Sequence, residues 1–266
     1  IYFFIFIRRK RLRRSVCNNF NMKKKVVYII YDNLKTLIGA LIIAIFIRSL
    51  LFQPFYIPSS SMEPTLLVGD RIFVSKYTYG YSKHSFPFSP NFSKKRFFSK
   101  LPERGDLVVF KTPADNRTDY IKRLIGMPGD TIQFVNGNLL INNQKIPREE
   151  VESTEIIRCG KFKLETKSFI ETLPNGAKYL TVYKKRGSLQ NTKKFKVPPD
   201  HFFLMGDNRD CSKDSRYLDS VGYVRNLNLV GEAQLIFFSN DTNISSLLKF
   251  WNLGNSFRFE RLIKVL

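Results

Sequence analysis

The chain has 266 residues, of which 43% are hydrophobic and 25% charged, with 14 glycines and 12 prolines. This composition is typical of a globular protein with a sizeable core, and it excludes a mainly disordered or fibrous chain. The formal net charge of +22 indicates a polyanionic partner, either nucleic acid or an anionic membrane. Six of the basic residues lie in 8–14 and three in 23–25, and no zinc-finger, RNP-like or heptad-linked basic motif follows. We therefore expect a phospholipid membrane as the partner and no nucleic acid.

The first residues form a short apolar run, 1–7, followed by the basic segment 8–14. Seven residues are too few to cross a bilayer, which requires about 20. The first methionine is Met22, directly ahead of three lysines. We expect Met22 to be the native start and 1–21 to come from an over-extended reading frame.

The first long apolar segment is 37–52, interrupted only by Arg48 and Ser49. It predicts a transmembrane helix over about 36–55, with Arg48 reaching toward one face of the bilayer. A buried helix of a soluble protein is the less favoured alternative. No small-x-small cleavage site follows the segment, so it does not resemble a cleavable signal peptide.

Basic residues precede this helix, at Lys23–Lys25 and at Lys35. By the positive-inside rule, segment 1–35 is cytoplasmic and everything after Phe55 lies outside. The expected location is the bacterial inner membrane, crossed once, with the main domain on the outer, periplasmic side.

Beyond the helix, short β-branched and aromatic runs alternate with turns, which predicts a mainly β protein built on an antiparallel sheet. The segment 134–140 predicts a hairpin around Asn136-Gly137. The predicted strands are 71–75, 106–110, 131–135, 138–141, 179–183, 201–205 and 233–238.

The stretch 147–196 is richer in charge, and we interpret 131–196 as a β cap subdomain inserted into the main domain. The main domain then consists of 56–130 and 197–266. The segment 81–100 mixes phenylalanines with lysines and prolines. It suits a loop resting on a membrane interface or, nearly as well, a packed surface loop.

The chain contains three cysteines, Cys17, Cys159 and Cys211. Such a sparse and odd set predicts no disulfide framework, and its spacing matches no metal site. Free thiols are the favoured reading, although Cys159 and Cys211 can pair if the fold brings them together. We expect neither a metal nor another cofactor.

A serine cluster, 59–61, follows the apolar segment within a few residues. Three serines after a proline can be ordinary linker, but the flanks here are apolar. A nucleophilic serine needs a base, and the two histidines, His84 and His201, lie in no motif resembling a catalytic triad. A buried lysine can replace histidine because desolvation disfavours its charged form.

The candidate base is Lys122, which follows a strand-like pair of residues and precedes an apolar pair and a Pro-Gly-Asp turn. A Lys-Arg pair such as Lys122-Arg123 is more often solvated. A third feature is the segment 205–217, where alternating charges and small polar residues follow a predicted strand. It lacks the glycine and spacing of a calcium loop, and it predicts a hydrogen-bonded network that supports a neighbouring site.

Together these segments resemble the successive signature boxes of bacterial type I signal peptidases, in the order of that family and over roughly 46–231. Each box is weak or moderate by itself, whereas five in order make a specific match. The boxes are Ser59–Leu66, Gly69–Lys76, Arg104–Phe110, Tyr120–Asp130 and Gly206–Tyr217.

The resemblance implies a membrane-bound serine endopeptidase that removes signal peptides from exported precursors through an acyl-enzyme. Ser61 is then the nucleophile and Lys122 the general base, while Ser59 and the Ser61 N–H form the oxyanion hole. Supporting residues are Ser212, which would bond the lysine, with Asp207, Arg209 and the ion pair of Asp214 and Arg216. Substrate-binding residues are Pro58, Met62, Tyr120 and Ile121, with the substrate adding as a strand between the segment 53–61 and the strand that ends at Lys122.

Three alternative functions are less well supported by the sequence. A penicillin-recognising enzyme is rejected because Ser246-x-x-Lys249 lacks its partner motifs. A basic, membrane-tethered binding or scaffold protein without catalysis would make Ser61 and Lys122 dispensable. An inactive homologue is disfavoured because all matched catalytic positions are present.

Overall fold

The computed structural model describes residues 25, 28–86, 89–90, 93, 95–152, 157–160, 162–240 and 257–266. The segment 1–21, expected to precede the native start, the Ser246–Lys249 motif and parts of the aromatic segment 81–100 lie outside the described residues. By its internal contacts the chain divides into two units, 1–48 and 49–266.

Among the described residues, one helix, α1, covers Tyr28–Leu50 and is long and apolar enough to cross a membrane. Its large apolar side chains are exposed. The predicted span of 36–55 was wrong at both ends. The helix already includes residues 28–35, and the chain beyond Leu50 changes to a strand at Phe52, ahead of the helix-breaking Pro54.

The second unit is built from antiparallel strands and short 3-10 turns, as predicted for a mainly β protein. The strands are β1 Phe52–Tyr56, β2 Asp70–Ser75, β3 Leu107–Lys111, β4 Asp119–Gly126, β5 Thr131–Val135, β6 Asn138–Ile141, β7 Gln144–Lys145, β8 Arg148–Val151, β9 Ile157–Cys159, β10 Phe162–Leu164, β11 Thr166–Thr172, β12 Lys178–Lys184, β13 Phe195–Lys196, β14 His201–Met205, β15 Val224–Arg225, β16 Leu229–Ser239 and β17 Lys264–Val265.

The main sheet has eight strands in the order β1-β2-β16-β3-β4-β14-β15, with β17 added to β16. The strands between 131 and 196 form three smaller sheets: β13-β5-β6-β7, β12-β11-β8 and β10-β9. They occupy the region interpreted as an inserted cap, whose boundaries stay a prediction. The expected hairpin is confirmed: Val135 pairs with Asn138, and Asn136 and Gly137 take the positive φ values, 46° and 71°, that such a tight turn requires.

Three apolar clusters fill the second unit. The one that matters for the serine cluster contains Ile57, Met62 and Leu66 together with Ile72 of β2. Because Met62 and Leu66 are fully buried, the serines between Ile57 and Met62 are held against the core. This packing excludes the linker interpretation of the serine cluster.

Within the segment 81–100, Arg96 is bonded into the domain through the carbonyl oxygens of Gly80, Asn226 and Leu229. Phe98 nevertheless has 88% of its surface exposed. The segment thus combines a packed residue, Arg96, with an exposed aromatic residue, Phe98. Its placement at a membrane interface stays a prediction.

Candidate active site

Ser61 lies in a 3-10 turn, Ser60–Met62, and only 8% of its surface is exposed. The turn is fixed from two sides: Ile57 N donates to Asp70 O at 2.9 Å, and Asn208 N donates to Ser61 O at 3.2 Å. The Ser61 backbone therefore has little freedom to move.

Lys122 lies on β4 opposite Val108 of β3, and it is 4% exposed. Its Nζ donates to Ser61 Oγ at 2.6 Å and to Ile121 O at 2.9 Å. Two residues 61 positions apart in the sequence are therefore in direct contact, and both are buried. The solvated reading of the Lys122-Arg123 pair is wrong.

Burial is the main cause of a pKa of about 8 for Lys122, well below the ordinary value of a lysine. The carboxylates of Asp214 and Asp207 oppose this shift, and the Arg216 guanidinium reinforces it. At this pKa roughly a tenth of the amine is neutral at pH 7 and half of it at pH 8, and the neutral form is the one that a general base needs.

Ser59 Oγ lies 3.3 Å from Ser61 Oγ, at the exposed end of the serine cluster. The two hydroxyls point to the same place. The Ser59 hydroxyl can therefore donate a hydrogen bond to a group that binds at Ser61.

The loop after β14 packs directly on the serine turn at Gly206. A Cβ on Gly206 would overlap both Ser61 O and Ser212 Oγ, so no other residue fits there. This close approach explains why the box has a glycine at that position.

Two carboxylates of this loop are paired with arginines in bidentate geometry. Asp207 accepts from Arg123 Nε and Nη2 at 2.8 and 2.7 Å. Asp214 accepts from Arg216 Nε and Nη2, both at 2.8 Å. Although burial opposes ionisation, the Arg216 charge holds the pKa of Asp214 below its usual value. The loop is thus locked to Lys122 through its chain neighbour Arg123.

Arg209 extends to β11 and β12, where its Nη2 donates to Glu171 of β11 at 2.7 Å and to Tyr179 Oη of β12 at 2.9 Å. Tyr183 Oη also donates to Glu171, at 2.6 Å. Glu171 was missed by sequence reasoning because it belongs to no motif and lies in a strand of ordinary composition.

Ser212 is placed differently from the expectation. It is 4% exposed and close enough to the Asp214 carboxylate to lower its pKa, yet its Oγ has hydrogen-bonding geometry with no atom of the described residues. Neither hydrogen bond of the Lys122 amine goes to Ser212. Ser212 therefore lies beside the pair without the expected bond to the lysine.

Cys159 and Cys211 form a disulfide, with a Cα–Cα separation of 5.4 Å. The favoured expectation of free thiols was wrong. Two hydrogen bonds hold Arg158 of β9 near the disulfide. Glu63, next to the serine turn, accepts from Arg158 N at 2.9 Å, and Asn208 Nδ2 of the loop donates to Arg158 O at 3.1 Å. The spacing of 52 residues carries no sequence signal of this proximity.

We predict that loss of this disulfide lowers the free energy of unfolding by about 2–4 kcal/mol, because the unfolded chain is no longer closed into a loop. Thermal melts of Cys159→Ser and Cys211→Ser against the wild type measure this, and the two variants should melt together because each removes the same bridge. Equal melting temperatures of wild type and variants, together with titratable thiols at both positions in the wild type, would contradict the disulfide.

A cleft of about 410 Å³ opens at Ser61 and Lys122. Its walls are the end of β1 with the following turn and the first half of β4. All four residues expected to bind substrate line it: Pro58, Met62, Tyr120 and Ile121. No group of three or more potential metal ligands occurs among the described residues.

The first half of β4 presents a free edge to this cleft. On one side β3 pairs with β4 from Asp119 to Arg123. On the other side β14 pairs only with Arg123, Leu124 and Gly126. Among the described strands, residues 119–122 therefore lack a partner on the cleft side, so an extended chain can add there.

Residues 30–238 match the family model described as signal peptidase, peptidase S26. The chain is 43% identical over 241 residues to the signal peptidase I of Rickettsia typhi, covering 84% of this chain and 88% of that protein. It is 44% identical over 216 residues to that of Rickettsia akari, covering 76% and 77%. A solved signal peptidase I from Enterococcus faecalis V583 is 25% identical, covers 50% of this chain and 97% of its own, and gives a TM-score of 0.30.

The chain therefore belongs to the peptidase S26 family of signal peptidases, of the bacterial type I that its sequence boxes resemble. Membership makes it a serine peptidase, a hydrolase of peptide bonds, which confirms the sequence-based assignment.

Proposed function

We propose that this chain cleaves N-terminal signal peptides from exported precursors, with Ser61 as the nucleophile and Lys122 as the general base. The observation that carries the proposal is the 2.6 Å hydrogen bond between the buried Lys122 amine and Ser61 Oγ. A binding or scaffold protein has no need of a buried lysine held against a serine, which is costly to desolvate.

In the proposed reaction, neutral Lys122 accepts the Ser61 proton as Oγ attacks the scissile carbonyl carbon. The C–N bond then breaks, the proton passes from Lys122 to the leaving amine, and the signal peptide stays as an ester on Ser61. Water, deprotonated by Lys122, hydrolyses this acyl-enzyme. The products are the signal peptide carboxylate and the mature protein.

The tetrahedral intermediate carries a negative oxygen, for which we assign Ser59 Oγ and the Ser61 N–H as donors. Ser59→Ala is expected to lower kcat roughly 10²–10³-fold, since one fixed donor at such an oxygen contributes about 3–4 kcal/mol. KM should change little because the charge develops only in the transition state. Steady-state kinetics of the two enzymes measure both constants, and an unchanged kcat would exclude Ser59 from the hole.

The remaining residues hold this geometry. We assign Asp207 and Arg209 to anchoring the loop after β14, through Arg123 and Glu171 respectively. We assign the ion pair of Asp214 and Arg216 to holding the conformation of the same loop. Their opposite charges also shift the pKa of Lys122 in opposite directions. Ser212 Oγ lies in the same buried place and is the candidate partner for Lys122 when a substrate displaces its present hydrogen bonds.

The substrate is proposed to add as a strand along the free edge 119–122. The cleft walls there are mostly apolar, with Met62 and Ile121 beside Ser61. Small apolar side chains before the scissile bond fit such walls, and an extended backbone satisfies the edge of β4.

Helix α1 is proposed as a single membrane anchor, with the N-terminus in the cytoplasm and the catalytic unit on the outer side of the bacterial inner membrane. The lysines at 23–25 and Lys35 support this orientation. The Cys159–Cys211 disulfide supports it independently, because disulfides persist in oxidising compartments such as the periplasm.

The function is tested by incubating the full chain in detergent with a purified signal-peptide-bearing precursor. We expect a product whose N-terminal sequence starts at the mature protein, and no cleavage of a matched precursor with a bulky residue directly before that position. Cleavage at scattered sites, or none by folded enzyme, would contradict the proposal.

A further inference from the structure

Lys213 lies on the wall of the cleft and is exposed to solvent. Its position is fixed from both sides of the chain. Two residues before it, Cys211 is bonded to Cys159, and the next residue, Asp214, is fully buried against Arg216. The loop therefore fixes the Lys213 backbone on the wall of the cleft that also contains Ser61, and its long side chain can extend into that cleft.

Lys213 also differs from the other charged residues of the cleft wall, which are Asp119 and Lys122. Asp119 is neutralised by Lys111 at 2.8 Å. Lys122 is buried and acts as the base in its neutral form. None of the ion pairs between described residues includes Lys213. Among the described residues that line the cleft, Lys213 thus carries the exposed charge that no ion pair balances.

The path of a bound substrate brings its mature end to this charge, a step that rests on the proposed function. An added strand can follow β4 only as far as Lys122, because β14 occupies the edge from Arg123 onward. With the residues before the scissile bond against the apolar side chains of the cleft, the chain after that bond leaves the sheet near Lys122, and Lys213 lines the same cleft.

We propose that Lys213 is a specificity residue that binds an acidic side chain in the first two residues of the mature protein. The charge is complementary, and the contact lies at an exposed rim. Pairs of this kind contribute little each, so we expect roughly a two- to fivefold preference in kcat/KM for an acidic over a basic residue. The preference decreases with added salt because an exposed pair is screened.

The test uses two precursor peptides that differ only in Glu or Lys at the second residue after the scissile bond. Wild type should prefer the Glu peptide, Lys213→Ala should lose the preference, and Lys213→Glu should reverse it. The matched control is Lys178→Glu, which makes the same charge change at an exposed residue of β12 that does not line the cleft. This variant should keep the wild-type preference.

The ratio of the two kcat/KM values is measured within one enzyme preparation, so partial misfolding or a general loss of rate cancels. An unchanged preference in Lys213→Ala, or an equal loss in Lys178→Glu, would overturn the inference while leaving signal-peptide cleavage intact. Absence of cleavage of both peptides by wild type would instead overturn the proposed function and this inference with it.

Discussion

Ser61→Ala is expected to reduce precursor cleavage by about 10⁴-fold or more, as removal of a nucleophile does in other serine hydrolases. Among the described residues that line the cleft, the Ser61 hydroxyl is the one bonded to the Lys122 amine. The measurement is single-turnover cleavage of the precursor by folded enzyme, with mass spectrometry of the protein to detect the acyl-enzyme in the wild type.

The matched control is Ser60→Ala, because Ser60 is the chain neighbour of Ser61 and is similarly buried, at 7% and 8% exposed. Ser60 contributes its carbonyl oxygen, which a side-chain substitution leaves in place, to Asn208. The activity of the Ser60→Ala variant should remain within a few-fold of wild type. Equal activity losses in the two variants would indicate damage to the turn and not loss of a nucleophile.

Replacement of Lys122 is expected to have a comparable effect, and two variants separate its possible roles. Lys122→Met removes the amine but keeps the length and apolar contacts of the side chain. Lys122→Arg keeps a cation but cannot give up its proton at working pH. If the lysine is a general base, both variants lose about 10⁴-fold. An active Lys122→Arg enzyme would contradict the base role.

The wild-type pH dependence provides a second measure of the same residue. Only neutral Lys122 can accept the Ser61 proton, and burial places its pKa at about 8. Therefore kcat/KM should fall roughly tenfold per pH unit below that pKa and level off above it. A profile that is flat from pH 6 to pH 9 would exclude Lys122 as the titrating base.

Local sequence was sufficient for part of the strands, and it marked the two candidate catalytic residues. Runs of β-branched and aromatic residues bounded by turns predicted β2, β3, β5, β6 and β14, because strand propensity and turn signals are encoded in a few neighbouring residues. It failed at Phe52–Tyr56, where the apolar sequence of a strand is indistinguishable from the end of a membrane helix. Only the pairing of β1 with β2 resolves that ambiguity.

The boxes around Ser61 and Lys122 marked these residues because the chemistry requires particular residue types at fixed places. The sequence thus determined the family, the membrane-length helix and the candidate dyad. Tertiary structure decided which groups meet: Lys122 with Ser61, Arg209 with Glu171, and Cys159 with Cys211. The burial that lowers the Lys122 pKa was decided in the same way. Contacts between residues distant in sequence leave no local pattern, and desolvation depends on the whole packed surroundings of a group, so neither could be read along the chain.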